Sequence, residues 1–194
     1  MTQQKWNDVL ADQLEWHWKN QIRDRLAGLS DEEYFWEPVP GAWNVRRRGT
    51  SSAAIQGGSG SMIIEFAAPA PEPTPFTTIA WRLGHVIVGV LAMRNASHFG
   101  REPTDYLSFD YASSADQALA QLDEEYHRWI TGVKTLGEAG LHQPCGEDGF
   151  DSMARLVLHI HRELIHHLAE VALLRDLFAH SGGGERAEPG RKMP

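Results

Sequence analysis

The sequence contains a single cysteine, Cys145, among its 194 residues. One cysteine excludes an internal disulfide and is typical of proteins that work in a reducing compartment. There is no run of about 18 apolar residues, so we expect no transmembrane helix and no membrane partner. No apolar stretch follows Met1, so we expect no signal peptide. These features together predict a cytoplasmic protein.

Basic residues are outnumbered, with 18 Lys and Arg against 26 Asp and Glu and a formal net charge of −8. This balance argues against a nucleic-acid partner. The sequence also lacks an internal repeat and any alternating strand pattern long enough to predict a sheet. Its 42% hydrophobic and 23% charged residues are ordinary values for a globular chain. Length and composition therefore predict one domain with a sizeable core.

What the sequence does have is amphipathic helical patterning. Apolar residues recur at helical spacing in four segments, at residues 4–28, 76–99, 114–136 and 151–178. Thr74 is the predicted N-cap of the second helix and Ser114 that of the third. The four segments predict an all-α fold, a four-helix bundle over residues 1–180. Residues 181–194 have no apolar anchor and are predicted to be a disordered tail.

Residues 47–75 are predicted to form a long irregular crossover loop, or lid, between the first two helices. The stretch GTSSAAIQGGSGS is rich in Gly and Ser, which predicts mobility, and AAPAPEPTP is extended by its prolines. Between them, MIIEF at residues 62–66 predicts a short strand that could pair with residues 43–46. A loop of this length within a compact domain is either functional or disordered.

The last predicted helix contains two polar residues on its apolar face. Residues 156, 160, 163, 167, 171, 174 and 178 form one stripe, which is apolar except for Glu163 and His167. A carboxylate left unpaired in a core costs several kcal/mol or takes up a proton. A shared cation would satisfy both residues. On the second predicted helix, His85 is likewise a polar residue on an otherwise apolar face.

His85, Glu163 and His167 are therefore candidate ligands of one metal ion. A pair at i, i+4 on one helix with a third ligand from a facing helix is an economical metal site in a bundle. Two imidazoles and a carboxylate leave a coordination position open, as in catalytic sites, and suit Zn²⁺, Ni²⁺, Fe²⁺ or Mn²⁺. A second interpretation also stays open, in which Glu163 pairs with an arginine and His167 is a hydrogen-bonded core residue.

Three further histidines lie on the same helix. His159 is one turn before Glu163 and is either an outer hydrogen-bond partner of the metal site or a surface residue. His161 and His166 point away from the stripe, and we expect neither to bind metal.

Other residues near the predicted crossover have two interpretations each. Residues 46–48 are three consecutive arginines that either attract an anionic substrate or form a solvated turn. Trp43 and Trp81 either line a pocket or belong to the core. Cys145 lies in a loop with Gly and Pro and is interpreted as incidental.

A ferritin-like di-iron bundle is an alternative, because such proteins use Glu-x-x-His twice. Glu124 with His127, and Glu163 with His166, fit that spacing. However, the first pair lies off the apolar repeat of its helix, and residues 76–99 contain no Asp or Glu. A di-iron site needs a carboxylate from each of the other helices, so this alternative is disfavoured.

Three motifs resemble the DinB superfamily. They are EEYFWEPVPGAWNV (Glu32–Val45), TTIAWRLGHVIVGVLAMRNASHFG (Thr77–Gly100) and HRELIHHLAEVALLRDL (His161–Leu177). The resemblance covers residues 6–178, except for residues 47–75, and implies a bundle of four helices with a metal site.

Within this resemblance, the ligand histidine of the second helix maps to His85. The commonest pattern on the last helix is His-x-x-x-His, and here Glu163 takes the first place and His167 the second. A Glu at that place is similar to the mycothiol-dependent maleylpyruvate isomerase branch. The resemblance therefore implies the ligand set His85, Glu163 and His167.

The resemblance also implies a function. It indicates a metal-dependent S-transferase or isomerase that acts on a small electrophile with a low-molecular-weight thiol such as mycothiol. The implied cofactors are one divalent transition metal (Zn, Ni or Fe) and the thiol, and the implied assembly is a homodimer. The alternatives are a metal-dependent hydrolase, in which metal-bound water is the nucleophile, and a non-catalytic metal-binding stress-response protein.

Overall fold

The computed structural model describes residues 5–182, which form a predominantly helical fold with one small sheet. The helices are α1 (Trp6–His17), a π-helical turn (Trp18–Ile22), α2 (Arg23–Leu26), α3 (Asp31–Phe35), α4 (Ile79–His85), a π-helical segment (Val86–Ala92), α5 (Met93–His98), α6 (Ala115–Leu141) and α7 (Met153–His180). The elements from α1 to α2 are continuous and are called the first helical segment. Those from α4 to α5 are likewise the second helical segment.

The helix starts show which capping predictions were right. Ser114 caps α6 as predicted, and its hydroxyl accepts a hydrogen bond from the Gln117 N–H at 3.2 Å. The second helical segment begins four residues later than predicted, because Thr78 rather than Thr74 is its N-cap. The reason is that the main chain of Trp43 pairs with the chain just before Thr78, donating to the Phe76 carbonyl and accepting from the Thr78 N–H. This pairing holds residues 76–78 extended.

The region predicted to be an irregular crossover contains most of a three-stranded antiparallel sheet. Its strands are β1 (Val45–Arg47), β2 (Ile55–Gly57) and β3 (Met62–Phe66), in the order β1-β3-β2. The predicted strand at residues 62–66 is confirmed with those bounds. The prediction of no sheet is wrong. The sheet was missed because β1 and β2 have three residues each, which is too few to show an alternating pattern. The central strand β3 is buried over four consecutive residues, of which the first three (Met62, Ile63 and Ile64) are apolar, so it too lacks an alternating pattern.

The glycine-rich stretch expected to be mobile instead packs against residues 106–110. The Gly58 and Ser59 N–H groups donate to the carbonyls of Leu107 and Phe109 at 3.1 and 3.0 Å. A Cβ at Gly57 would overlap the carbonyl oxygen of Tyr106. Glycine at this position therefore allows two backbones to approach closely, and the sheet holds the segment that carries Tyr106.

The helices share one core. The first helical segment contacts α6 and α7, and the second also contacts both. The largest fully buried side chains are Leu14, Leu26, Tyr34, Ile63, Ile64, Ile79, Leu83, Ile87, Leu91, Leu122, Trp129 and Leu156. Four of these belong to the second helical segment, which lies at the centre of the fold.

Two predictions concern the end of the third helix and the C-terminal tail. The third helix was predicted to end before Gly137, whose φ is +61°, but the chain resumes helical turns and α6 continues to Leu141. The predicted tail at residues 181–194 lies outside the described residues, except for residues 181 and 182. Among residues 5–182, none of the helices combines the length and apolar character needed to cross a membrane.

Candidate metal centre

His85 is the last residue of α4, at the junction with the π-helical segment. Its ring stacks on the indole of Trp81 with centroids 5.6 Å apart, and its Nδ1 lies 2.5 Å from the hydroxyl of Tyr106. Burial, together with the nearby His167 and Arg82, lowers the pKa of His85 to about 4. The ring is therefore neutral near pH 7, which is the form that binds metals.

His167, near the middle of α7, faces His85. The two rings meet edge-on, with centroids 4.7 Å apart and planes at 90°. Nδ1 of His167 lies 2.8 Å from Oε2 of Glu170, and Glu170 also forms an ion pair with Arg82. The carboxylate can hold a proton on Nδ1, and in that tautomer Nε2 is the nitrogen that can bind a metal. Metal-binding histidines commonly have this arrangement.

Glu163 lies one turn before His167, and its Oε2 is 3.6 Å from Nε2 of His167. Its other oxygen, Oε1, accepts hydrogen bonds from Nε and Nη2 of Arg162 at 3.0 and 2.9 Å. Partial burial raises the pKa of Glu163, but Arg162 and nearby histidines lower it more, so the net shift is downward. The carboxylate is therefore ionised. The pairing with an arginine that the second interpretation predicted is present on one oxygen, while the other faces His167.

A second donor set overlaps the predicted one. Within residues 5–182, one group of three His, Cys, Asp or Glu side chains has ligand atoms that all lie within 4.8 Å of one another. This group consists of His166, His167 and Glu170. We expected His166 not to bind metal, and its side chain is 61% exposed. The chain thus has a His–His–Glu cluster that could hold a metal, and His167 belongs to both sets.

A cavity of about 280 Å³ opens beside the predicted ligands His85 and Glu163. Tyr106, Arg94 and His159 supply the other polar groups of its lining. His159, predicted either to support the metal site or to lie on the surface, is partly exposed and has Nδ1 3.5 Å from Oε1 of Glu163. The candidate metal site therefore has space next to it for a small molecule.

Sequence reasoning missed two residues that contact the candidate ligands. Glu170 had a local signal, because it follows His167 at i+3 on the same helix face. Tyr106 had none, since it lies in a loop 21 residues after His85 and reaches it only through the fold. Gly89 makes that approach possible, because a Cβ there would overlap the Tyr106 hydroxyl.

Two of the three arginines at residues 46–48 have side-chain partners in and around the sheet. Arg46 forms ion pairs with Glu37 and Glu65 at 2.7 and 2.9 Å, and Arg48 donates to the carbonyls of two glycines in the turn before β3. Neither lines the cavity at His85. Both arginines therefore have structural partners already.

The structure also gives positions for the other residues that were interpreted from the sequence. Trp81 stacks on His85 and Trp43 stacks on Trp81, so this pair supports the ligand histidine from one side. Cys145 is buried and donates its S–H to the Phe150 carbonyl at 3.2 Å. Glu124 and His127 are exposed, as predicted, which counts against the di-iron alternative.

Comparison with known proteins identifies one family. The sequence model described as the DinB superfamily matches residues 65–171, which is 107 of 194 residues. The match contains the second helical segment, α6 and most of α7, and therefore all three predicted ligands. No curated protein and no solved structure matches the chain significantly.

Proposed function

This chain belongs to the DinB superfamily, and on that premise we propose that it is a metal-dependent enzyme that acts on low-molecular-weight thiols. The proposed reaction is S-transfer to a small electrophile or a thiol-assisted isomerisation. The observation that carries the proposal is the state of the two facing histidines. His85 and His167 both have Nδ1 engaged, by Tyr106 and Glu170, which leaves Nε2 of each ring for a metal.

The proposed ligands are His85, Glu163 and His167. The competing set would use Glu170, whose charge is already shared between Arg82 and Nδ1 of His167. Both partners are on Oε2, so a metal bound to that oxygen would displace them, and Oε1, which lies 3.5 Å from Nε2 of the exposed His166, is the oxygen left for this set. Glu163 lines the cavity, and its Oε2 faces Nε2 of His167, so this oxygen could bind a metal while Oε1 keeps its contact with Arg162.

A divalent Zn²⁺, Ni²⁺ or Fe²⁺ at this site would lower the pKa of a bound thiol and so supply a thiolate near pH 7. No protein nucleophile is needed, which agrees with the buried position of Cys145. The chain itself contributes the two imidazoles, the orientation given by Tyr106 and Glu170, and the cavity that receives the small molecules. Mycothiol or a related thiol is the proposed cofactor.

The proposed frame for this site is a four-helix bundle made of the two helical segments, α6 and α7. The contacts of the second helical segment with both α6 and α7 support it. We also propose that the protein forms a homodimer and works in the cytoplasm, where low-molecular-weight thiols stay reduced and a lone cysteine is ordinary.

A non-catalytic metal-binding protein is the second candidate. It needs only a donor cluster, which His166, His167 and Glu170 supply on one helix without a contribution from the cavity. Conversion of a thiol with an electrophile separates the two candidates. Hydrolysis of an ester or amide without added thiol would instead indicate a metal-dependent hydrolase.

The test is the metal content of untagged protein, measured by mass spectrometry. We expect about one metal per chain, and its loss in Glu163→Ala, His85→Ala and His167→Ala. His166→Ala is the matched control, since it removes a neighbouring histidine that belongs only to the competing set, and it should keep the metal. A parent protein that contains no metal after incubation with each candidate metal would contradict the proposal. Loss of the metal in His166→Ala, together with its retention in Glu163→Ala, would assign the metal to His166, His167 and Glu170 instead.

The activity test uses the metal-loaded protein with a thiol and a chromogenic electrophile. We expect metal-dependent consumption of both substrates in the parent and none in Glu163→Ala. Full metal loading without any turnover of thiol and electrophile would favour the non-catalytic candidate.

A further inference from the structure

Arg94 has an unusual position for a basic residue. It lies in α5, five residues after Gly89, and its side chain is 25% exposed and lines the cavity beside the predicted ligands. Its Nε lies 3.1 Å from Oε2 of Glu147, and Glu147 also binds His98 through Oε1 at 2.8 Å. Among residues 5–182, the two terminal guanidinium nitrogens of Arg94 donate to no protein acceptor. The guanidinium therefore has donors available to the cavity.

The charges around the cavity leave Arg94 as its available cation. Glu163 is the negative group of the lining, and its charge already faces Arg162 and His167. Glu147, the partner of Arg94, is shared with His98 and is not part of the lining. An anion that entered the cavity would thus meet the free end of an arginine whose geometry suits a carboxylate.

Tyr106 adds a second donor. When Nε2 of His85 binds a metal, the ring proton must be on Nδ1, which lies 2.5 Å from the Tyr106 oxygen. That oxygen then accepts from His85, so the hydroxyl proton of Tyr106 turns away from the ring. Since Tyr106 lines the cavity, its proton is available to a ligand there.

The rest of the lining is apolar, with Val90, Met93 and Ile160 as its main side chains. A volume of about 280 Å³ is at the small end for ligand cavities. It suits a short carbon skeleton with one polar end at Arg94.

We propose that this cavity binds the carboxylate of a small organic acid between Arg94 and the Tyr106 hydroxyl, beside the predicted metal ligands. The identification of this acid as a reactant rests on the proposed function. The contact with Arg94 does not depend on a metal, because Arg94 belongs to neither donor set, whereas the Tyr106 hydroxyl donates to the cavity in the His85 tautomer that carries its proton on Nδ1. The carboxylate belongs either to the electrophile or to the thiol, since both are small molecules that reach the same cavity.

The test measures binding of succinate and its neutral analogue succinamide to the full-length protein by ligand-observed NMR, as purified and after treatment with EDTA. The EDTA arm removes direct coordination of the carboxylate by a metal. We expect succinate to bind in both arms and succinamide to bind at least about tenfold more weakly, as expected for loss of a charge-assisted hydrogen bond. Arg94→Gln should lower succinate affinity by about tenfold or more, and Arg94→Lys by less.

The matched control is Arg155→Gln, which removes an exposed arginine whose side chain is 69% accessible. It should leave succinate binding unchanged, and thermal melts should show that all variants are folded. Equal binding by the parent and Arg94→Gln, or equal binding of succinate and succinamide, would overturn the proposal. An empty metal site with Arg94-dependent succinate binding would instead contradict only the proposed function.

A competition arm identifies the source of the carboxylate. Succinate is added to metal-loaded protein saturated with 3-mercaptopropionamide, a thiol without a carboxylate, and separately with 3-mercaptopropionate. Succinate displaced only by the acid thiol assigns the carboxylate to the thiol. Succinate that binds alongside both thiols assigns it to the electrophile.

Discussion

The hydroxyl of Tyr106 lies 2.5 Å from Nδ1 of His85, although 21 residues separate them and Tyr106 lies in a loop. This contact orients the imidazole, and because the hydroxyl can accept a hydrogen bond, it is compatible with the tautomer that leaves Nε2 for a metal. It also links the sheet to the candidate metal centre, because the glycine-rich turn before β3 holds the segment that carries Tyr106. The three-stranded sheet, unexpected from the sequence, therefore has a structural role next to the predicted site.

Removal of this hydroxyl should weaken metal binding without unfolding the protein. For Tyr106→Phe we expect a metal affinity about 10–100-fold lower, the usual effect of losing a hydrogen bond that orients a ligand. Competition with a chromogenic chelator measures the change. Tyr126→Phe is the control, since the Tyr126 hydroxyl is buried without a hydrogen-bond partner and does not contact His85. Equal affinity of parent and Tyr106→Phe would show that the contact does not tune the site.

Gly89→Ala should also weaken metal binding, because its new side chain would collide with the Tyr106 hydroxyl. The added Cβ would overlap the Tyr106 hydroxyl and lie 3.3 Å from Nδ1 of His85. We expect weaker metal binding and a lower free energy of unfolding, both measured on the same preparation. The double variant with Tyr106→Phe should lose less stability than the sum of the single changes, because the overlapping oxygen is gone. Strict additivity would contradict the close approach.

The buried His161 predicts a dependence of stability on pH. It is 2% exposed, neither ring nitrogen has a partner, and burial lowers its pKa to about 4. The unfolded chain takes up a proton near pH 6.5 while the folded chain does not, so stability falls as the pH falls from 6.5 towards 4. We expect this residue to cost about 2 kcal/mol of stability at pH 5 relative to pH 7.5.

Urea unfolding of His161→Phe in the presence of EDTA tests this expectation. The variant should lose less stability than the parent between pH 7.5 and pH 5, because it cannot take up the proton. His127→Phe, at an exposed position of α6, is the control and should behave as the parent does. An unchanged pH dependence in His161→Phe would assign the effect to other groups.

A buried ion pair supports the loop that carries Tyr106. Glu125 is 4% exposed and accepts from Nε of Arg101 at 2.5 Å and from the Asn95 amide at 2.7 Å. Arg101→Met leaves the carboxylate buried with its counter-charge gone, and we expect a loss of about 3–5 kcal/mol in the free energy of unfolding. The additional change Glu125→Gln should recover much of it, since no charge then remains buried. A loss below about 1 kcal/mol for Arg101→Met would contradict this role.

Much of the helical framework could be predicted from local pattern. The apolar spacing in α6 and α7 and the cap at Ser114 indicated helices close to those observed, because these features depend only on neighbouring residues. The start at Thr78 could not be predicted, because Trp43, 35 residues earlier, holds the chain before it extended. Strands of three residues carry too little pattern, so two strands of the sheet were also missed.

For the site, the sequence by itself determined which residues stand out and what they could bind. A carboxylate and two histidines on apolar faces need a partner wherever the helices pack, and the superfamily match covers all three. They stay predicted ligands until metal content is measured.

Only the tertiary structure decided what surrounds them. Which loop brings Tyr106 to His85, and which helix brings Arg94 to the cavity beside Glu163, depends on the relative placement of elements far apart in the chain. Local patterns carry no information on those distances, because hydrogen bonds and ion pairs act over a few ångströms that only packing sets.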